Sequence, residues 1–368
     1  MNINISNWNN ETFLFYCFII FVSVLSTKLS TIEIKIKKTK YNLSILLLTL
    51  IFILIKVFNS TGRDISKTGG YYYNFISAST FSSFMDQGIE IGFKLLTIII
   101  RNITSNYNIY LIIINFLIII PIIYIFNKYY NKVDLFTTVL MYMSIFFFAS
   151  FSPIRQCLAA SIGLLVFDCL KEKKIIKSFI WIIIAMSIHS SAIVYLIPFF
   201  MVNFKIINRK TISWLMSILF ILFLLEKNSI LSWFAGSSRY LAYSTVESSF
   251  GLQQFVYYIP LIILIMYCTK YSDDYNSKIN YSYIFTSFCF GLLGYIITVF
   301  GRLYIMFIPI ILIIGYNVKL LKTERPKIKW VLNLLIILYC IMRFWMYISE
   351  YYNLEDLMPY TNILGWKI

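Results

Sequence analysis

The sequence predicts an all-α, polytopic integral membrane protein with about 11–12 transmembrane segments, one of them broken or folded into a hairpin near residues 177–203. Three observations predict it. Apolar residues fill 60% of the 368 positions and charged residues only 13%, more hydrocarbon than a water-soluble chain of this length needs. Apolar runs recur along the whole chain. The basic residues behind the net charge of +16 cluster in short loops between those runs. That clustering is the positive-inside signature, so the charge does not point to nucleic acid. The six cysteines are scattered through apolar segments without a C-x-x-C pair, so neither a disulfide framework nor a metal site is expected, and no cofactor. The first apolar run lacks a basic leader and a small-residue cleavage site, so no cleavable signal peptide is expected. Heavy use of Ile, Phe, Tyr, Asn and Lys matches the coding bias of an AT-rich bacterial gene.

Taken in order, the apolar runs place spans at about 12–31, 42–58, 107–126, 134–150, 154–170, 177–189, 190–203, 212–226, 253–268, 281–299, 302–317 and 330–348. No linker, low-complexity tract or internal repeat divides them, so residues 1–368 read as a single multi-spanning domain. Five basic loops then set the topology. They are Lys35, Lys37, Lys38 and Lys40; Lys128 and Lys132; Lys171, Lys173, Lys174 and Lys177; Lys205, Arg209 and Lys210; and Lys319, Lys322, Arg325, Lys327 and Lys329. All five share the cytoplasmic side only if residues 177–203 enter the bilayer and return. Each arm holds about 13 residues, or about 20 Å at 1.5 Å per residue, short of the roughly 30 Å hydrocarbon core. The turn is expected near His189-Ser190-Ser191, since irregular backbone at membrane depth occurs where it lines a protein cavity. The competing reading is one long tilted helix that breaks the positive-inside rule.

On the hairpin scheme both chain ends are external, and the large external segments are about 59–106, 227–252 and 349–368. Residues 89–103, IEIGFKLLTIIIRNI, carry Glu90, Lys94 and Arg101 on an apolar background and read as an interfacial helix. If that helix crossed the membrane instead, the parity of the scheme would break.

Sorted by predicted side, 21 of the 32 basic residues are cytoplasmic and 11 are external or in the outer part of the membrane. Six of the eight arginines fall in the smaller group, namely Arg63, Arg101, Arg155, Arg239, Arg302 and Arg343, where an even spread would place about three. Arginine offers a planar fork of donors suited to phosphate and carboxylate, whereas lysine is a point charge. Arg101 and Arg343 also fit ordinary interfacial snorkelling. Arg155 in SPIRQ, Arg302 in FGRLY and Arg239 in GSSRYLAY each follow a loop and open a helix or short segment, Pro153 favouring a helix start before Arg155. A pyrophosphate meeting helix N-termini and arginines would be well held.

The stretch Ser152–Ala192 concentrates these features. It places Arg155 and Gln156 at one end of an apolar helix, a lysine cluster at the other, and His189, the chain's only histidine, inside the next apolar run. A cation and an imidazole in membrane-like sequence are costly unless they serve something polar, which points to a membrane-embedded site for an anionic lipid-linked substrate. For His189 a structural role, hydrogen-bonded to a neighbouring backbone with help from Ser190 or Ser191, stands beside the functional one. Asp168 is expected to pair with Lys171 or Lys174. Asp273-Asp274 falls in a predicted cytoplasmic loop, away from the arginines, and so fits metal-dependent sugar transfer poorly. Tyr71 to Tyr73 and Trp233 offer rings that would stack on sugars.

At these residues the chain resembles the EpsG family of bacterial polysaccharide polymerases, related in role to the Wzy O-antigen polymerases. The block that carries the resemblance is residues 154–198, IRQCLAASIGLLVFDCLKEKKIIKSFIWIIIAMSIHSSAIVYLIP: Arg-Gln opening a helix, a lysine cluster, and an apolar run ending in Ala-x-x-x-His-x-Ser-Ala. Supporting pieces are Asp64, Tyr72 and Phe75 leading to EIGF at Glu90–Phe93, Arg302 to Tyr304 before an apolar span, spaced Arg-Leu-Tyr where the family has Arg-x-x-Tyr, and Pro359-Tyr360 near the C-terminus. The family's compact Gly-x-Asp-Tyr element is spread out here as GRDISKTGGYYYNF.

The resemblance implies a GT-C-like membrane glycosyltransferase at the outer face of the bacterial cytoplasmic membrane. It would join undecaprenyl-pyrophosphate-linked repeat units into O-antigen, capsule or exopolysaccharide, without a metal, often beside a chain-length regulator. Arginines stabilise a leaving diphosphate and a neutral histidine serves as base or hydroxyl-orienting group. Arg155 and His189 are the catalytic candidates on this reading. Gln156, Arg239, Arg302, Arg63, Asp64 and Tyr72 are the substrate-binding candidates. A flippase for the same lipid-linked oligosaccharide would show two similar halves and cations on both sides of the midplane, neither of which is clear here. A ligase using the same donor needs nearly the same chemistry, and only the family block argues against it.

Overall fold

The computed structural model describes residues 8–36, 39–67, 69–79, 88–203, 260–264, 266–267, 274–296, 302–352 and 354–368, with isolated positions between 211 and 218. The expected span at 212–226 for the most part, much of that at 253–268, the segment 227–252 with Arg239 and Trp233, the Lys205–Lys210 loop and Asp273 lie outside the described residues.

Asn9 starts the first helix, α1 (Asn10–Ser26), by accepting the Thr12 N–H on its side chain at 2.9 Å. Its buried face is Thr12, Tyr16, Ile19, Ser23 and Ser26, while Leu14, Phe18, Phe21 and Leu25 are exposed. This distribution, with apolar side chains outward and hydroxyls inward, suits hydrocarbon as the surrounding solvent. A two-stranded antiparallel ribbon follows, β1 (Glu33–Ile36) and β2 (Thr39–Asn42). The ribbon departs from the all-α expectation: IEIKIK alternates with a period of two, which a strand accommodates and a helix does not.

Asn42 caps α2 (Leu43–Phe52), which runs into a π-helical turn at Ile53–Val57. After a 3-10 turn at Arg63–Ile65 come two short helices, α3 (Gly70–Ser77) and α4 (Ile91–Ile103), then the long α5 (Tyr107–Tyr129). Helix α6 (Leu135–Met141) is extended by a π turn and a 3-10 turn to Phe151, ahead of α7 (Ile154–Lys171). The α4 helix matches the amphipathic segment read from sequence, with Phe93, Lys94, Thr97 and Ile100 inward and Ile91, Leu95, Ile99 and Ile103 exposed.

Helix α7 is the axis of the bundle, buried nearly all round, and its Gly163 leaves room for the Tyr195 side chain. Helix α8 (Ile175–Ile188) packs along it and stops at His189, whose φ of −152° and ψ of 125° are extended. A 3-10 turn, Ser190–Tyr195, and α9 (Leu196–Asn203) then run back beside α8, with Phe199 on Phe179 at 5.6 Å between ring centroids. The expected hairpin at His189 is therefore present. The remaining helices are α10 (Asp274–Ile296), α11 (Ile310–Glu324) after a 3-10 segment at Arg302–Phe307, and α12 (Lys329–Tyr351).

Among the described residues three helical stretches are long and apolar enough to cross a membrane, Asn10–Leu29, Tyr107–Tyr129 and Pro326–Glu350. Shorter apolar ones are Leu43–Val57, Leu135–Phe151, Ile175–Ile188 and Ser190–Asn203. The protein is a helical membrane protein.

The helix directions sort the bundle into two ends. One carries the ribbon and the described basic loops; there Lys128 meets Asp168 at 2.7 Å and Glu172 at 2.5 Å, and Lys322 meets Asp134 at 2.7 Å. Asp168 thus pairs with Lys128, and with the Tyr129 hydroxyl at 2.9 Å, rather than with the expected Lys171 or Lys174, because α5 and α7 run side by side and their C-terminal ends coincide. At the other end the C-terminal segment closes over α1 and α2. The Tyr360 hydroxyl donates to the Ile55 carbonyl at 3.0 Å, the Ile363 N–H to Phe58 at 2.8 Å, and the Thr12 hydroxyl to the Ile368 carbonyl.

Candidate functional site

Arg155 is the second residue of α7, at the end opposite the lysine loops. The turn before it is held from two sides. Lys56, fully buried in the π turn after α2, donates to the Ser150 carbonyl at 2.6 Å and lies over the Phe151 ring at 5.5 Å. From the other side Gly62, at φ +131°, lies so close that a Cβ there would stand 2.7 Å from the Phe151 carbonyl oxygen. The Asp64 N–H then reaches the Ser152 hydroxyl at 3.3 Å.

The guanidinium of Arg155 meets Glu90 at 2.8 Å, with side-chain exposures of 26% and 21%, so the pair is reachable from outside the bundle. The other oxygen of Glu90 accepts the Ser190 N–H at 2.9 Å. One carboxylate therefore joins α4, the start of α7 and the turn after α8. Gly92 permits this: a Cβ there would come within 2.8 Å of the Ser187 carbonyl oxygen, so only glycine lets α4 approach α8 closely enough. Burial by itself would raise the Glu90 pKa. The hydrogen bond from Ser190, with its own backbone N–H and the Arg155 charge, outweighs burial and holds the carboxyl below its ordinary range.

Tyr71 lines the same place. Its hydroxyl accepts the Arg155 N–H at 3.4 Å, and the guanidinium lies 5.8 Å from the centroids of both Tyr71 and Phe93. His189 follows α8 directly and accepts on Nδ1 from the Ser191 N–H at 3.2 Å, with the Ser191 hydroxyl 2.7 Å from the same nitrogen. Glu90 and Arg155 are both near enough for their charges to act on the imidazole.

The candidates named from sequence divide as follows. Arg155 and His189 come together, linked through Glu90 and Ser190. Arg63 is exposed on the adjoining turn, its N–H bonded to the Glu355 carbonyl at 2.8 Å. Asp64 is half-buried, and its charge acts on Arg155 and Tyr71. Gln156 is buried in the first turn of α7. Tyr72 packs edge-on against Tyr107 at 5.1 Å, while its neighbour Tyr71 lies by the guanidinium. The segment opened by Arg302 packs on α7 and the 190–195 turn, where Tyr195 donates to Met306 O at 2.7 Å, but the Arg302 side chain and all of Arg239 lie outside the described part.

Three participants were missed. Glu90 was read as part of an interfacial helix and of the EIGF piece but given no role in the site, and Tyr71 was grouped with its neighbours. Lys56 went unremarked, although a lysine in the run ILIKVF is the same signal that singled out His189. An apolar cavity of about 740 Å³, lined by residues such as Met141, Leu261, Ile314, Leu321, Leu332 and Tyr339, lies between α6, α11, α12 and residues 260–267, apart from this cluster.

No curated protein and no solved structure matches the chain. The model of the EpsG family does, over residues 41–362, a range that holds every site residue described above. The chain belongs to the EpsG family.

Proposed function

We propose that this protein is a polysaccharide polymerase of the bacterial cytoplasmic membrane. It joins undecaprenyl-diphosphate-linked oligosaccharide repeat units at the outer face, in a GT-C-like membrane glycosyltransferase architecture. The observation that carries the reading is the reachable Arg155–Glu90 pair at the start of α7, opposite the lysine loops. An anion arriving there meets a planar guanidinium and the N-terminal end of a helix. In the transfer, the acceptor sugar oxygen bonds to the anomeric carbon of the donor. The bond from that carbon to the diphosphate breaks with its electron pair leaving on oxygen, and the hydroxyl proton passes to the aqueous phase. Arg155 meets the charge that grows on the departing diphosphate. On this reading Arg63, Asp64 and Arg302 bind the sugar and phosphate groups, and a chain-length regulator is an expected partner.

The test is reconstitution of the purified chain with its lipid-linked repeat unit, reading products as a size ladder. Wild type makes a ladder, Arg155→Ala slows it by about 10²–10³-fold, and Arg155→Lys recovers only part. A ladder untouched by Arg155→Ala removes the diphosphate assignment. No ladder, with movement of the substrate across the bilayer, replaces the polymerase with a flippase.

A further inference from the structure

His189 occupies the position that Ser or Asp usually fills at the start of a helix: its side chain accepts the N–H two residues on, that of Ser191, and so caps the 190–195 turn. A backbone amide only donates. Nδ1 therefore carries a lone pair and no proton, and the proton of the neutral imidazole sits on Nε2. The Ser191 hydroxyl, 2.7 Å from Nδ1, suits either role and rotates to donate as well. The turn itself is pinned, since the Ser190 N–H is bonded to Glu90, which in turn holds Arg155. The ring nitrogen left for substrate is consequently an N–H.

Resting on the proposed function, we infer that His189 acts on the substrate as a hydrogen-bond donor, through Nε2–H to an oxygen of the diphosphate beside Arg155, and not as the base of the transfer. This role complements the arginine. Both groups offer protons to oxygen on which negative charge accumulates, and both are held by protein partners before substrate arrives.

The chain's single histidine makes the test direct. Protein purified without a histidine tag and labelled with 15N-histidine in lipid nanodiscs yields the spectrum of one imidazole, in which protonated and unprotonated ring nitrogens are resolved. The expected spectrum has Nε2 protonated and Nδ1 bare, and adding undecaprenyl diphosphate moves the Nε2–H signal. A protonated Nδ1, or an Nε2 signal indifferent to undecaprenyl diphosphate, overturns the inference. Glutamine places an amide N–H close to the Nε2 position and cannot act as a base. His189→Gln therefore binds undecaprenyl diphosphate within about threefold of wild type, and His189→Ala at least about tenfold more weakly. Equal losses in the two variants, each verified as a single folded species, also overturn it. Wild-type protein that passes these binding tests yet makes no ladder removes the polymerase reading and leaves the donor assignment standing.

Discussion

The two ends of the bundle hold the same kinds of charge and use them differently. At the lysine end Lys128 lies between Asp168 and Glu172, Lys174 reaches Glu172 at 2.6 Å, and Lys322 reaches Asp134. These pairs clamp helices that already touch: α5 to α7, and α11 to the start of α6. At the arginine end one carboxylate, Glu90, is delivered by a short amphipathic helix and shared between a guanidinium and a backbone N–H. Beside it stand Tyr71, the exposed Arg63 and the capping His189. A clamp needs only opposite charges at close range. A site for an anion needs directed donors that stay reachable, which the planar arginine fork and a fixed imidazole N–H supply.

The comparison breaks first, and most visibly, at Glu90. Glu90→Gln keeps an oxygen for the Ser190 N–H but releases Arg155, so the polymer-forming rate should fall by about 10–100-fold while the thermal midpoint moves little, because displacement of a substrate-holding group is costly even where the fold survives. A rate within twofold of wild type would make the pair a clamp like those at the other end.

Asp168→Asn should do the reverse. Asp168 is buried, and its loss leaves Lys128 with Glu172 alone, so stability in detergent should drop by about 1–3 kcal/mol with the rate at permissive temperature unchanged. A large rate loss in a protein of normal thermal midpoint would bring the lysine end into the function.

The smallest effect belongs to Glu172, which is at the surface. Hydrogen bonds from Lys128 and Lys174 hold its carboxyl at about 2, against an ordinary 4.5. Its stabilising contribution is complete above pH 4.5 and is lost as the pH falls towards 2, because protonation then takes place in the folded protein as well. Solvent screening limits Glu172→Gln to less than about 1 kcal/mol, and high salt should erase the difference in thermal midpoint.

Much of this was legible in the residues because hydrophobic length and charge placement act locally. The runs at 42–58, 107–126, 134–150 and 154–170 became Leu43–Val57, Tyr107–Tyr129, Leu135–Phe151 and Ile154–Lys171. The hairpin at His189 followed from where the lysines fall and from arms too short to span. The alternating IEIKIK was overlooked as a ribbon because four-residue strands carry little pattern. The Asp168 partner was misjudged because neighbours in sequence were weighed and a parallel helix was not.

Sequence alone determined the membrane class, the two-ended charge arrangement, the break at His189 and the prominence of Arg155, since each depends on the solvent a residue meets or on chain length between turns. Tertiary structure alone decided that Glu90, 65 positions before Arg155, is its partner. It also decided that Tyr71 rather than Tyr72 touches that arginine, that Lys56 supports the turn beneath it, and which imidazole nitrogen faces the Ser191 N–H. These are matters of ångströms between segments distant in sequence. Close approaches such as Gly92 against Ser187 set them, and no periodicity records such contacts.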